Sequence, residues 1–101
     1  MFKRYLVAAL LCASSSAMAD SAIFRAGADS VEITDEPCHA AVVAIIPADA
    51  AQHFRAANAV IGGVLMQACW ALRSDGMVHL VYSDADEGLI RASEFRRTRA
   101  L

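Results

Sequence analysis

Val64-Leu65-Met66-Gln67-Ala68-Cys69-Trp70-Ala71-Leu72, then Arg73-Ser74-Asp75-Gly76, then Met77-Val78-His79-Leu80-Val81-Tyr82-Ser83: two apolar, β-prone runs meet at an Asp-Gly turn. That order spells a β-hairpin over 64–72 and 77–83. The loop length decides which side chains share a face. A two-residue Asp75-Gly76 turn would pair Trp70 with Val81 and Leu72 with His79. A three-residue loop with Gly76 left-handed pairs Arg73 with Met77 instead. Trp70 then lies opposite Leu80, Leu72 opposite Val78, and Ala68 opposite Tyr82. One face becomes Val64, Met66, Ala68, Trp70, Leu72, Val78, Leu80 and Tyr82, with no charge on it. The other carries Gln67, Cys69, Arg73, His79 and Ser83. The three-residue loop is the consistent choice, because a one-residue slip mixes the two faces.

Upstream of the hairpin, Gly62-Gly63 follows an alanine-rich stretch, Ala48 to Asn58, in which Gln52 and Arg55 are good helix formers. Pro47 fits a helix start, where its missing N–H costs nothing. Ala50, Phe54, Ala57 and Ile61 fall at helical spacing, so the expectation is a helix over about 48–58, stopped by Gly62-Gly63. Ala40 to Ile46 is apolar and suits either a short buried strand or the first turns of a helix. Val31-Glu32-Ile33-Thr34 alternates as a half-buried strand does, and Asp35-Glu36-Pro37 ends it. Asp20 to Ala28 has no sustained pattern and is expected to be a loose lead-in. Downstream come an acidic loop, Asp84 to Gly88, and a short strand at Leu89-Ile90. A final turn at Ser93-Glu94-Phe95 should fold Phe95 onto the core, before a basic tail, Arg96 to Leu101, that frays. The expected class is therefore α+β: a small antiparallel sheet around the hairpin, with one helix on its Trp70 face.

The first nineteen residues have a different character. Lys3 and Arg4 precede a short apolar run, Tyr5 to Ala13; Ser14, Ser15 and Ser16 break it, and Ala17-Met18-Ala19 supplies small residues at the positions a signal peptidase reads. The pattern predicts a signal peptide over 1–19, cleaved between Ala19 and Asp20, and a periplasmic or secreted product. A lipoprotein signal fits less well, because Cys12 follows Leu10 and Leu11 rather than a small residue. Residues 20–101 then form a single domain of 82 residues, with seven basic side chains against eleven acidic, a net charge of −4. Of three cysteines, Cys38 and Cys69 remain, an even count that suits one disulfide in an oxidising compartment.

Composition excludes several classes. At 57% hydrophobic, 20% charged and 7% aromatic, the chain is neither a disordered polymer nor a collagen-like repeat. No apolar run approaches the ~18–20 residues of a membrane-spanning helix. Net negative charge argues against nucleic acid as partner. Against six acids in the first part of the chain (Asp20, Asp29, Glu32, Asp35, Glu36 and Asp49), Arg91, Arg96, Arg97 and Arg99 collect at the C-terminus.

No chemistry assembles itself in the linear order. An EF-hand reading of the loop from Asp84 puts Gly88 at the fifth position, Leu89 at the glycine position and Phe95 at the twelfth, so it fails. His39, His53 and His79 lack a close ligand pair with the cysteines, and neither zinc nor another cofactor is expected. Nucleophilic catalysis needs a nucleophile, a base and an orienting group within reach, and the serines and histidines occur singly. The leading expectation is a non-enzymatic exported domain that binds a protein or envelope component. Its alternative is a small hydrolase or metal-dependent enzyme that uses His79 with Asp84 or Asp86. An interaction role predicts an exposed apolar or aromatic patch; the enzyme predicts a concave site that gathers His79 with those acids. Trp70 suits the core better than an exposed anchor. Oligomeric state is left open.

Ala68-Cys69-Trp70, Asp75-Gly76, Tyr82 to Gly88 and Phe95, with the upstream Glu36-Pro37-Cys38, resemble a group of small exported proteobacterial proteins. That group usually has Asp-Gly-Asp where this chain has Asp84-Ala85-Asp86. The resemblance implies export and Cys38–Cys69 pairing, and carries no activity.

Overall fold

The computed structural model describes residues 20–98; residues 1–19, where a signal peptide and its cleavage after Ala19 are expected, and Arg99 to Leu101 lie outside them. Seven strands form one antiparallel sheet: β1 (Ser21–Ala26), β2 (Asp29–Pro37), β3 (Arg55–Ile61), β4 (Val64–Leu72), β5 (Met77–Tyr82), β6 (Glu87–Arg91) and β7 (Arg96–Arg97). Two one-turn helices, α1 (Ala40–Val43) and α2 (Ala48–Ala51), bridge β2 and β3. The order across the sheet is β6-β5-β4-β3-β2-β1-β7.

That order forces curvature. Laid flat, the six steps from β6 to β7 would span about 29 Å at ~4.8 Å per strand. Only a 3-10 turn (Ala92–Glu94) and Phe95 join those two strands. Five residue steps reach at most about 18 Å. The sheet therefore curls into a half-barrel, and the segment after β6 crosses the open side, where the Ala92 N–H donates to the Gly76 carbonyl.

The expected α+β class is corrected: the architecture is mostly sheet, and the single helix over 48–58 does not form. Its first residues make α2, while Arg55 to Ile61 are β3, near the centre of the sheet. Alanine misleads here. Ala57 and Ala59 face the concave side at 0% and 1% exposure, beside Ala68 at 0%. A curled sheet crowds side chains on its concave floor, so small residues belong there. Phe24, Trp70, Tyr82 and Phe95 fill the space above, and Phe24 and Phe95 meet at 5.9 Å between ring centroids. Gly62-Gly63 is a hairpin turn rather than a helix stop, both glycines having positive φ (58° and 81°), as a primed two-residue turn requires.

The β4–β5 register is the expected one. Trp70 pairs with Leu80, Leu72 with Val78, Ala68 with Tyr82 and Cys69 with Val81. Gly76 has φ 85°, the Arg73 N–H donates to the Met77 carbonyl at 2.8 Å, and the Asp75 carboxylate accepts from the Met77 N–H. That backbone bond, with Arg73 beside it, holds the Asp75 carboxyl below its ordinary value.

The helices cover the other face from the one expected. The Trp70 face closes on itself, around Val31, Ala57, Ala59, Ala68, Val78 and Leu80. On the opposite face, Val42, Ile46 and Phe54 pack on Cys69 and Val81. The Cys38–Cys69 disulfide, with Cα atoms 5.5 Å apart, fixes the start of the helical segment to β4 on that face. The loose lead-in is also corrected: Ser21 to Ala26 pair with β2 along their whole length. Nor do Arg96 and Arg97 fray, since they pair with Ile23 and Ala22 of β1.

One backbone position is strained. Ala85 has φ 76° in the turn between β5 and β6. Non-glycine residues adopt that region at a cost. Ala85→Gly is expected to raise stability by about 0.5–1 kcal/mol, read from urea unfolding; a loss of stability would contradict the left-handed turn.

Candidate functional site

Curling leaves the concave face open at both ends. At one end stands the β3–β4 hairpin. Ile61 and Val64 flank its glycines and Leu65 follows, at 38%, 58% and 79% exposure. Alternation puts Ile61, Val64 and Met66 on the concave side and Leu65 on the convex side. Behind the tip, Ile61, Met66, Tyr82, Asp84 and Asp86 line a small cleft of about 190 Å³. The Asp29 carboxylate accepts from the Gly62 N–H at 2.9 Å, fixing the turn and placing a third acid there. Asp84 accepts from the Asp86 N–H at 3.0 Å. Among the described residues no basic side chain pairs with Asp29, Asp84 or Asp86. On its concave side the tip is thus an apolar patch of Ile61, Val64 and Met66 beside an acidic rim.

Tyr82 reports on that rim. Burial, then Asp84, then Asp86, raise its hydroxyl above the ordinary value of 10.0. Because the folded value is raised, Tyr82 contributes no penalty below pH ~10, and stability is lost as pH rises above the unfolded value. A chain without residues 1–19 has Tyr82 as its only tyrosine. Absorbance titration of phenolate formation is expected to give a midpoint above 10, lowered by Asp84→Asn with Asp86→Asn. A midpoint at or below 10 would contradict the burial.

At the other end, Trp70, Phe95, Ile33, Ala22 and Ala92 floor a larger cleft of about 440 Å³. Asp20, Ser21, Thr34, Asp35 and Arg97 form its rim. The Trp70 indole N–H donates to the Thr34 carbonyl at 2.7 Å. Trp70 therefore packs against the core and is also part-exposed in a cleft, a dual position that a choice between core and anchor does not capture.

His79 belongs to neither end. It lies on the convex face, edge-on to Phe54 at 5.6 Å between centroids, with Nε2 2.8 Å from Glu87 Oε1. It borders clefts with Arg73, Glu87 and Leu89, and with Phe54, Val81 and Ala85. Asp84 and Asp86 instead border the Tyr82 cleft. The structure does not bring His79 together with those two acids. Sequence reasoning missed Glu87 as its neighbour, although a β5–β6 hairpin around the acidic loop would have supplied it. Cys38 and Cys69 are bonded to each other, and His39 Nε2 lies 3.1 Å from the Ala57 carbonyl. Among the described residues no group of three or more His, Cys, Asp or Glu side chains gathers as a metal site. None of their helices is long and apolar enough to cross a membrane.

Comparison with known proteins adds no relative: no family model, curated protein or solved structure matches the chain.

Proposed function

We propose that this chain is an exported, non-enzymatic binding domain whose β3–β4 hairpin tip docks a basic, apolar segment of an envelope protein. The observation that carries the reading is the tip itself. Exposed apolar side chains are ordinary when scattered, but Ile61 and Val64 pair across a turn pinned by Asp29 and share the concave side with Met66. Asp84 and Asp86 beside it select positive charge in a partner and steer its approach. A segment with alternating apolar and basic residues satisfies both surfaces at once. Export is supported by the order of residues in 1–19 and by a disulfide, which persists in oxidising compartments.

Site-specific photocrosslinking tests this reading. A photoreactive residue at position 64 should yield a discrete conjugate in the intact envelope, with basic and apolar residues at the crosslinked site of the partner. The conjugate should weaken at high salt and with Asp84→Asn/Asp86→Asn. A probe at Gln52, on the helical segment, should not give it. Equal labelling from positions 64 and 52, or no conjugate from position 64, refutes the assignment.

A further inference from the structure

The cleft at the opposite end has one unusual property: nearly all its polar groups are already satisfied within the protein. The Trp70 N–H is spent on the Thr34 carbonyl. The Thr34 hydroxyl donates to the Ala56 carbonyl and accepts from the Glu36 N–H. Ser21 and Thr98 bond each other through their hydroxyls. Asp20 and Arg97 form an ion pair at 3.0 Å. The exception is Asp35, whose carboxylate has no hydrogen bond or ion pair among the described residues. Asp35 stands on the rim because β2 shifts register between Ile33 and Pro37, which frees this part of the strand from regular pairing with β3.

We infer that this cleft is a binding site for a small organic cation, with an apolar or aromatic body on Trp70 and Phe95 and its ammonium group at Asp35. The internally paired rim offers a ligand few further hydrogen bonds. The apolar floor favours a hydrocarbon or aromatic body. The Asp20–Arg97 pair cancels, so Asp35 sets the residual charge of the rim. Aromatic side chains attract cations as well, which reinforces the same sign. A volume of about 440 Å³ lies in the range of small-molecule sites. This site is separate from the hairpin tip, so it stands or falls apart from the docking role.

Trp70 is the only tryptophan in the chain, so its fluorescence reports occupancy directly. The exported protein is titrated with 2-phenylethylammonium, with the neutral 2-phenylethanol and with 3-phenylpropanoate. Saturable change with the ammonium is expected, with affinity about tenfold weaker for the alcohol and weaker still for the carboxylate. Asp35→Asn should abolish the preference for the cation while leaving the thermal midpoint unchanged; Phe95→Leu should weaken the cation and the alcohol together. Equal binding of all three probes, no saturable change with the ammonium, or an undiminished preference in Asp35→Asn would overturn the inference. Tighter binding by a lysine-rich peptide than by the free amine would overturn its assignment to a small molecule.

Discussion

Removing the Cys38–Cys69 bond is expected to destabilise the domain by roughly 3–4 kcal/mol, the loop-closure value for a cross-link across about thirty residues. The sequence separation is 31. That is a large fraction of the stability of a domain this size. The Cys38→Ala/Cys69→Ala double variant is the clean form of the test, since it leaves no reactive thiol beside or at the fully buried Cys69 position. Urea unfolding should show the loss as a lowered midpoint, or as absence of a folded baseline. The damage should also be directional. Apart from the disulfide, α1 and α2 are held by burial of Val42, Ile46 and Phe54. Amide exchange should accelerate first in residues 39–54 and last in β4 and β5. Unchanged stability on full reduction, within about 0.5 kcal/mol, would mean that the staple carries no share of the fold.

The second large effect contrasts two leucines of the hairpins. Leu80 is 0% exposed on the concave face and Leu65 is 79% exposed at the tip. Leu80→Ala removes side-chain atoms from a closed site and leaves a cavity among Val31, Ala57, Ala68 and Val78. The expected cost is about 3–5 kcal/mol. Small neighbours worsen the loss, because alanines have no side chain to swing into the gap. Leu65→Ala should change stability by no more than about 0.5 kcal/mol. Chemical denaturation of the two variants side by side decides the matter. Similar costs for both would contradict the assignment of faces.

Much of this was legible in the residues, and the failures have physical causes. The β4–β5 register followed from two face patterns and one turn glycine, since a slip would have moved His79 and Ser83 onto the apolar face. The cysteine pairing followed from count. The helix over 48–58 failed because alanine is a good helix former on its own, yet its smallness is also what the concave floor of a curled sheet needs. That need arises from Trp70, Tyr82 and Phe95 arriving from elsewhere in the chain. Gly62-Gly63 between two apolar runs was the available hairpin cue, and placing β3 there would have exposed the Ile61–Leu65 tip. β1 was opaque because Ile23 and Phe24 are adjacent and both apolar, so no alternation shows. β7 consists of two arginines at a sheet edge, where pairing with β1 and the Asp20 ion pair override composition. The cleft at Trp70 depends on a strand edge, a bulge and a terminal turn meeting in space, which no local pattern encodes.

Both candidate sites exist only if the helices sit on the Cys69 face and leave the concave face open. Had they covered the Trp70 face, the cleft would be filled and the hairpin tip would abut them. A nuclear Overhauser map of the oxidised protein without residues 1–19 tests this placement most directly. The account predicts contacts from the Phe54 ring to His79 and Val81, and from Val42 and Ile46 to the same buried cluster, with the Trp70 indole N–H near Thr34. Contacts from Val42, Ile46 or Phe54 to Leu80 or the Trp70 ring would contradict it.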